Sequence, residues 1–292
     1  MPRNQARWPA DAVLAYAVRA LFHRGGGTGR IVFLWLAVVV LATVPGPRTA
    51  AQPHAAQAEA GAVLLRSTRH FDTYLAPGSL RRVEALRLAA RFEPTLEAAA
   101  RRFGTPFTAR ERIYLLPPQQ GVCAIRGLTF SSKREIRLYY GPGTDIDRLQ
   151  AIVAHELVHQ LQRERFGDRV HQAADVILLE GWATLASDDF ARTADGSEPR
   201  WQNRLREAVA RDELLPLTAD LRRDCRTTTR NAIYDQWASF VLFLQQRYGD
   251  DALDRVYRSA RGRKAGSAGY QAIYGVPFAE LETAWRAWVV TQ

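Results

Sequence analysis

Residues 154–160 read Ala-His-Glu-Leu-Val-His-Gln, and within them His155, Glu156 and His159 form the pattern His-Glu-x-x-His. On a helix, positions i and i+4 lie one above the other, so both imidazoles can reach a single ion. Glu156, about 100° further round, then points to the side where a bound water would sit. Catalytic zinc takes three protein ligands and keeps a fourth position open, so one more ligand must come from elsewhere in the chain. The downstream candidates are Glu164, His171, Asp175 and Glu180. Glu180 fits best: it follows the apolar run Val176, Ile177, Leu178, Leu179 and precedes Gly181, Trp182 and Ala183, small residues that allow its helix to approach the metal helix. His171 fits less well, because the glycine and further histidine expected of a three-histidine pattern are absent.

These residues need a helix beneath them, and the sequence supplies one over 146–166. Asp145 and Asp147 favour its first turn, Ile152, Val153, Leu157, Val158 and Leu161 give it an apolar surface, and Gly167 stops it. Histidines set in so apolar a helix would be costly to bury without a partner, which favours a bound ion over two surface imidazoles sharing a face.

Around this helix, alternation predicts strands over 70–75, 112–116 and 135–140, with 121–132 as a loop or an extra strand. Ser79 is expected to cap a helix running to Phe103, kinked at Pro94 and closed by Gly104. After Gly143 helical periods dominate, over 146–166, 174–192, 201–211, 234–248, 251–261 and 278–290. The sum is an α+β protein with a small strand-bearing N-terminal lobe (66–143) packed on a mainly helical C-terminal lobe (144–292). Trp182, Trp201, Trp237, Trp285 and Trp288 recur at helical spacings and read as core.

The sequence from His155 through HELVH, then twenty residues, then Glu180 in EGWA resembles the gluzincin zinc peptidases, and in particular the small bacterial "peptidase MA-like" family. The resemblance extends over about residues 66–290. It includes the strand at 70–74, the helix ending Arg102-Phe103-Gly104, YLLP at 114–117, the helix ending QQRYG before residue 250, and the closing YGVPFAELETAW. It implies a thermolysin-like or aminopeptidase-like catalytic core, one zinc ion per chain and hydrolysis of peptide bonds, without implying a substrate. His155, His159 and Glu180 would hold the metal, and Glu156 would act as general base on the water and return the proton to the leaving amine. Gluzincins often supply a Tyr or His from a later helix to the developing oxyanion, and Tyr234, expected to open its helix, is the candidate here. Thr184 and Asp188 are candidates for orienting an imidazole from behind.

The chain has 292 residues, 47% hydrophobic and 24% charged, which excludes global disorder, collagen-like repetition and a multi-span membrane protein. Its formal charge of +10 is no nucleic-acid signature: residues 1–51, with six Arg and one Asp, hold half of it, and the other basic residues are interleaved with acids. Arg3, Arg7, Arg19, Arg24 and Arg30 precede an apolar run over 31–44, then Pro45-Gly46-Pro47 and the small residues Thr49, Ala50 and Ala51. This is the layout of a secretory signal peptide, or of a membrane anchor through 31–44 if it is retained, with an Ala-rich linker following over 52–65. Export would place the protein in the periplasm or outside the cell, where Cys123 and Cys225 can pair. The expected partner is a peptide or protein substrate and no nucleic acid. The reading from another class is a catalytically silent zincin-fold scaffold of the envelope, against which the intact Glu156 stands, since a metal site needs its ligands and gains nothing structural from a general base.

Overall fold

A computed structural model describes residues 61–221 and 223–292; the expected signal segment and most of the expected linker lie outside the described residues. The described chain mixes helices with a five-stranded sheet, as the sequence pattern requires. The strands are β1 (Val63–Ser67), β2 (Phe71–Leu75), β3 (Glu111–Leu116), β4 (Gly127–Phe130) and β5 (Glu135–Tyr139), in the order β1-β2-β3-β5-β4. β2, β3 and β5 run parallel, while β1 and β4 are antiparallel edge strands. The buried side chains of the central strands, Ile113, Leu115, Ile136 and Leu138, share one apolar cluster with Leu149, Val153, Leu157 and Leu161 of the long helix α3 (Ile146–Phe166). That cluster runs from Phe71 to Val289, so no gap in the core marks residue 143.

The sequence placed α3 to the residue. Asp145 accepts a hydrogen bond from the Asp147 N–H at 3.0 Å as N-cap, Arg163 and Arg165 occupy the last turn, and Gly167 at φ 80° turns the chain out. Elsewhere the structure corrects the boundaries. The helix expected from Ser79 to Phe103 is two, α1 (Arg82–Ala89) and α2 (Phe92–Phe103), broken at Ala90 and Arg91. Ser79 caps neither, because its hydroxyl donates to the Tyr140 carbonyl at 3.2 Å. Pro94 sits in the first turn of α2, where a missing N–H costs nothing. The segment expected to be helical over 174–192 is α5 (Val176–Ala186) followed by a 3₁₀ turn at Asp188–Phe190; Ser187 ends it by turning its hydroxyl back onto the Ala183 carbonyl at 2.7 Å. The end of the expected linker belongs to β1, whose Val63 and Leu64 stay exposed on the sheet edge and so leave no burial pattern to read.

Two short helices, α4 (Asp168–Gln172) and α9 (Tyr270–Tyr274), escaped the period count. The remaining helices are α6 (Arg200–Ala210), α7 (Thr227–Tyr248), α8 (Asp250–Ser259) and α10 (Phe278–Val289). Trp182, Trp201, Trp237 and Trp285 are buried as expected of core residues. Cys123 and Cys225 form a disulfide with Cα atoms 5.2 Å apart, joining the chain just ahead of β4 to the chain just ahead of α7. No helix among the described residues is long and apolar enough to cross a membrane.

Candidate metal centre

His155 and His159 project from one face of α3 with their rings 4.9 Å apart and nearly perpendicular. From α5, which Asp175 starts by accepting the Ile177 N–H, Glu180 reaches between them. One carboxylate oxygen, Oε2, lies 3.1 Å from His155 Nε2 and 3.4 Å from His159 Nε2. The three donor atoms all lie within 4.8 Å of one another. Two imidazole nitrogens and a carboxylate oxygen converging from two packed helices are the donor set that a tetrahedral zinc site with one open position uses. Burial favours the neutral form of both Glu180 and His159, but their mutual attraction outweighs it. Chiefly through the charge of His159, Glu180 is held well below the usual carboxylate range, and chiefly through the charge of Glu180, the His159 imidazole is raised.

The other candidates fall elsewhere. His171 is buried outside the donor cluster, its Nε2 3.0 Å from Ser131 Oγ and its Nδ1 3.2 Å from the Tyr257 hydroxyl. Burial, with the nearby charges of His159 and Arg263, pushes its pKa down to about 3, so it is a neutral packing histidine. Glu164 accepts from Arg134, and Asp175 is occupied by the Ile177, Gly266 and Ala268 N–H groups and the Tyr270 hydroxyl. Thr184 and Asp188 do not reach an imidazole: among the described residues the buried Thr184 hydroxyl has no hydrogen-bond partner, and Asp188 pairs with Arg102. The group that does orient an imidazole is Gln162, whose Oε1 lies 2.9 Å from His159 Nδ1 and whose Nε2 donates to the Leu179 carbonyl at 2.8 Å. It ties the two ligand-bearing helices together and leaves His159 Nε2 turned to the donor cluster. Its position one turn after His159 was available in the sequence as a spacing.

Gly181 serves a neighbour other than the one expected. A Cβ there would stand 2.4 Å from the Trp237 carbonyl oxygen, so at Gly181 α5 presses backbone to backbone on α7 and not on α3. That contact fixes where α7 delivers Tyr234. The Tyr234 ring stacks on His155 at 6.0 Å and 10° and on Trp237 at 5.4 Å. Burial first, then the charge of Glu180, push its phenol well above the ordinary value, so it remains a proton donor. Tyr234 lies in the second turn of α7 and does not open the helix. The preceding Thr227, Thr228 and Thr229 have weak helix propensity, and the buried Ile233 and the anchored Cys225 make up for it.

Glu156, next to His155 on the same helix, is turned toward the sheet edge. Its Oε2 accepts a hydrogen bond from the Thr129 hydroxyl of β4 at 2.6 Å, and Gly127 of the same strand leaves the space its Oε1 occupies. Neither residue was singled out by the sequence, where a four-residue strand inside 121–132 has too short a period to recognise.

No protein-family model and no curated protein matches the sequence. Among solved structures the chain is similar to an M1 zinc metallopeptidase from Deinococcus radiodurans, at 23% identity and a TM-score of 0.41, over 78% of this chain and 50% of that one. A second is a two-domain M1 zinc metallopeptidase E323A mutant bound to L-tryptophan, at 23% identity and TM-score 0.41, over 78% and 49%. The chain thus spans about half the length of the structures it matches.

Proposed function

We propose that this protein is an exported zinc-dependent metallopeptidase of gluzincin type, with Glu156 as general base. The observation that carries the reading is the convergence of His155, His159 and Glu180 to within 4.8 Å, with Glu156 held beside them on the same helix. Zinc bound there supplies a Lewis acid for a water and for the scissile carbonyl. The chain's own residues do the rest. Glu156 takes the proton of the attacking water and later returns it to the leaving amine. Tyr234 donates its phenolic proton in a hydrogen bond to the developing oxyanion. Gln162 keeps the His159 ring turned for ligation. Export, to the periplasm or outside the cell, is supported by the arginine-then-apolar pattern of the first 51 residues and by the Cys123–Cys225 bridge.

The test is metal analysis of the purified protein with a peptide-library assay. Wild type should hold one zinc per chain and cleave peptides, His155→Ala should lose both, and Glu156→Gln should keep the zinc while losing cleavage. Failure of wild type to bind zinc when it is supplied at neutral pH would overturn the reading.

A further inference from the structure

We propose that Thr129, on edge strand β4, is the positioning residue for Glu156, and that Gly127 two residues before it is the clearance that makes the clamp possible. The inference deepens the peptidase reading and rests on it for the role of Glu156, although the clamp itself is a matter of geometry.

The strand register sets it up. β4 pairs antiparallel with β5 so that Gly127 faces Leu138 and Thr129 faces Ile136. Residues opposite one another in a sheet share a face, and Leu138 and Ile136 are fully buried on the helix-bearing side, so Gly127 and Thr129 are turned toward α3. Leu128, between them, packs on the other face with Leu116 and Tyr139. A slip of one residue would bring Leu128 against Glu156 and remove both contacts.

The two residues then divide the carboxylate. The Thr129 hydroxyl lies 2.6 Å from Oε2 and 3.1 Å from the Glu156 backbone carbonyl. It has one proton, and the carboxylate oxygen at the shorter distance takes it. At Gly127 any Cβ would come 2.4 Å from Oε1, 3.0 Å from Cδ and 2.9 Å from the Ile152 methyl group, so a side chain there would push the carboxylate aside. Glu156 is therefore fixed by a donor on one oxygen and by bare backbone beside the other. Among the described residues Oε1 accepts no hydrogen bond, so Thr129 is the side-chain donor that holds this carboxylate. A glutamate side chain has three rotatable bonds, and a general base displaced by about 1 Å can lose on the order of a hundredfold in rate, so a fixed carboxylate matters to the chemistry.

Three variants test this in the full chain: Thr129→Val, which keeps the shape of a β-branched residue but has no donor, Thr129→Ser, which keeps the donor, and Gly127→Ala. Zinc content is measured for each, with steady-state kinetics on a peptide that wild type cleaves and crystal structures of the zinc-free forms. Thr129→Val should keep one zinc per chain and lose about 10- to 100-fold in kcat with KM within about twofold, and its Glu156 carboxylate should leave β4. Thr129→Ser should stay within about threefold of wild type, and Gly127→Ala should displace Glu156 without loss of zinc. Wild-type kcat in Thr129→Val, equal loss in the Ser and Val variants, or an unmoved Glu156 in the Val structure would each overturn the proposal. If wild type binds zinc but cleaves no peptide, the peptidase reading falls, while the crystal structures still decide the clamp.

Discussion

The two sides of α3 are built by different means. Toward the helices, His155 and His159 meet Glu180 and His159 is held by Gln162, through contacts between two helices with only the short α4 between them in the chain. Toward the sheet, Glu156 meets Gly127 and Thr129, delivered by a four-residue edge strand from an earlier part of the chain. In the proposed mechanism, metal ligation on one side and placement of the base on the other would therefore depend on separate packing, and each could be damaged without the other.

The largest expected effect separates the two sides outright. Glu180→Ala should lose both zinc and hydrolysis, whereas the Glu156→Gln variant should lose only hydrolysis, by about 10²-fold or more. Full zinc occupancy in Glu180→Ala, read by metal analysis, would break the division. A smaller effect sharpens it: Gln162→Ala should weaken zinc binding by about 10- to 100-fold, measured by competition with a chelator, because the His159 ring loses its orienting partner. Unchanged affinity would mean that the helix alone aims the imidazole.

A further effect, on the sheet side, concerns stability and leaves the site untouched. Glu111, fully buried at the start of β3, has its pKa pushed up to about 8 by burial, which outweighs the nearby charges of Arg134 and Arg163. Arg134 lies 3.5 Å away but makes its shorter contact, 2.9 Å, with Glu164. Between the ordinary carboxylate pKa of 4.5 and about 8, the unfolded chain releases a proton that the folded protein keeps, so stability falls as pH rises through this window. Glu111→Gln should remove that fall, on the order of 2–4 kcal/mol between pH 5 and 8 in urea unfolding. An identical pH dependence in the two proteins would show Glu111 ionised and paired with Arg134.

The same contrast governs what could be read from the sequence. The helix side was legible, because i, i+4 spacing, caps and an apolar run are local signals: α3 came out with its bounds, and the three converging donors were named. The sheet side was not. Thr129 and Gly127 matter only through pairing with β5, which no period within GLTF encodes, and β1 hides because its Val63 and Leu64 are exposed. Asp188 failed for a related reason. Its sequence distance from Glu180 suggested reach toward an imidazole, but the turn at Ser187 carries it away to Arg102.

The Cys123–Cys225 bridge makes the intervening chain a closed covalent ring, with a sequence separation of 102 between its ends. Both histidines, Glu156, Glu180, Thr129 and Gly127 lie inside the ring, and Tyr234 lies outside it. The exposed turn around Asp195 and Gly196 is the natural place for a protease to nick the ring. A molecule cut there would still migrate as one chain until its disulfide was reduced, and the break would fall after Glu180, leaving both helices of the donor cluster on the same fragment.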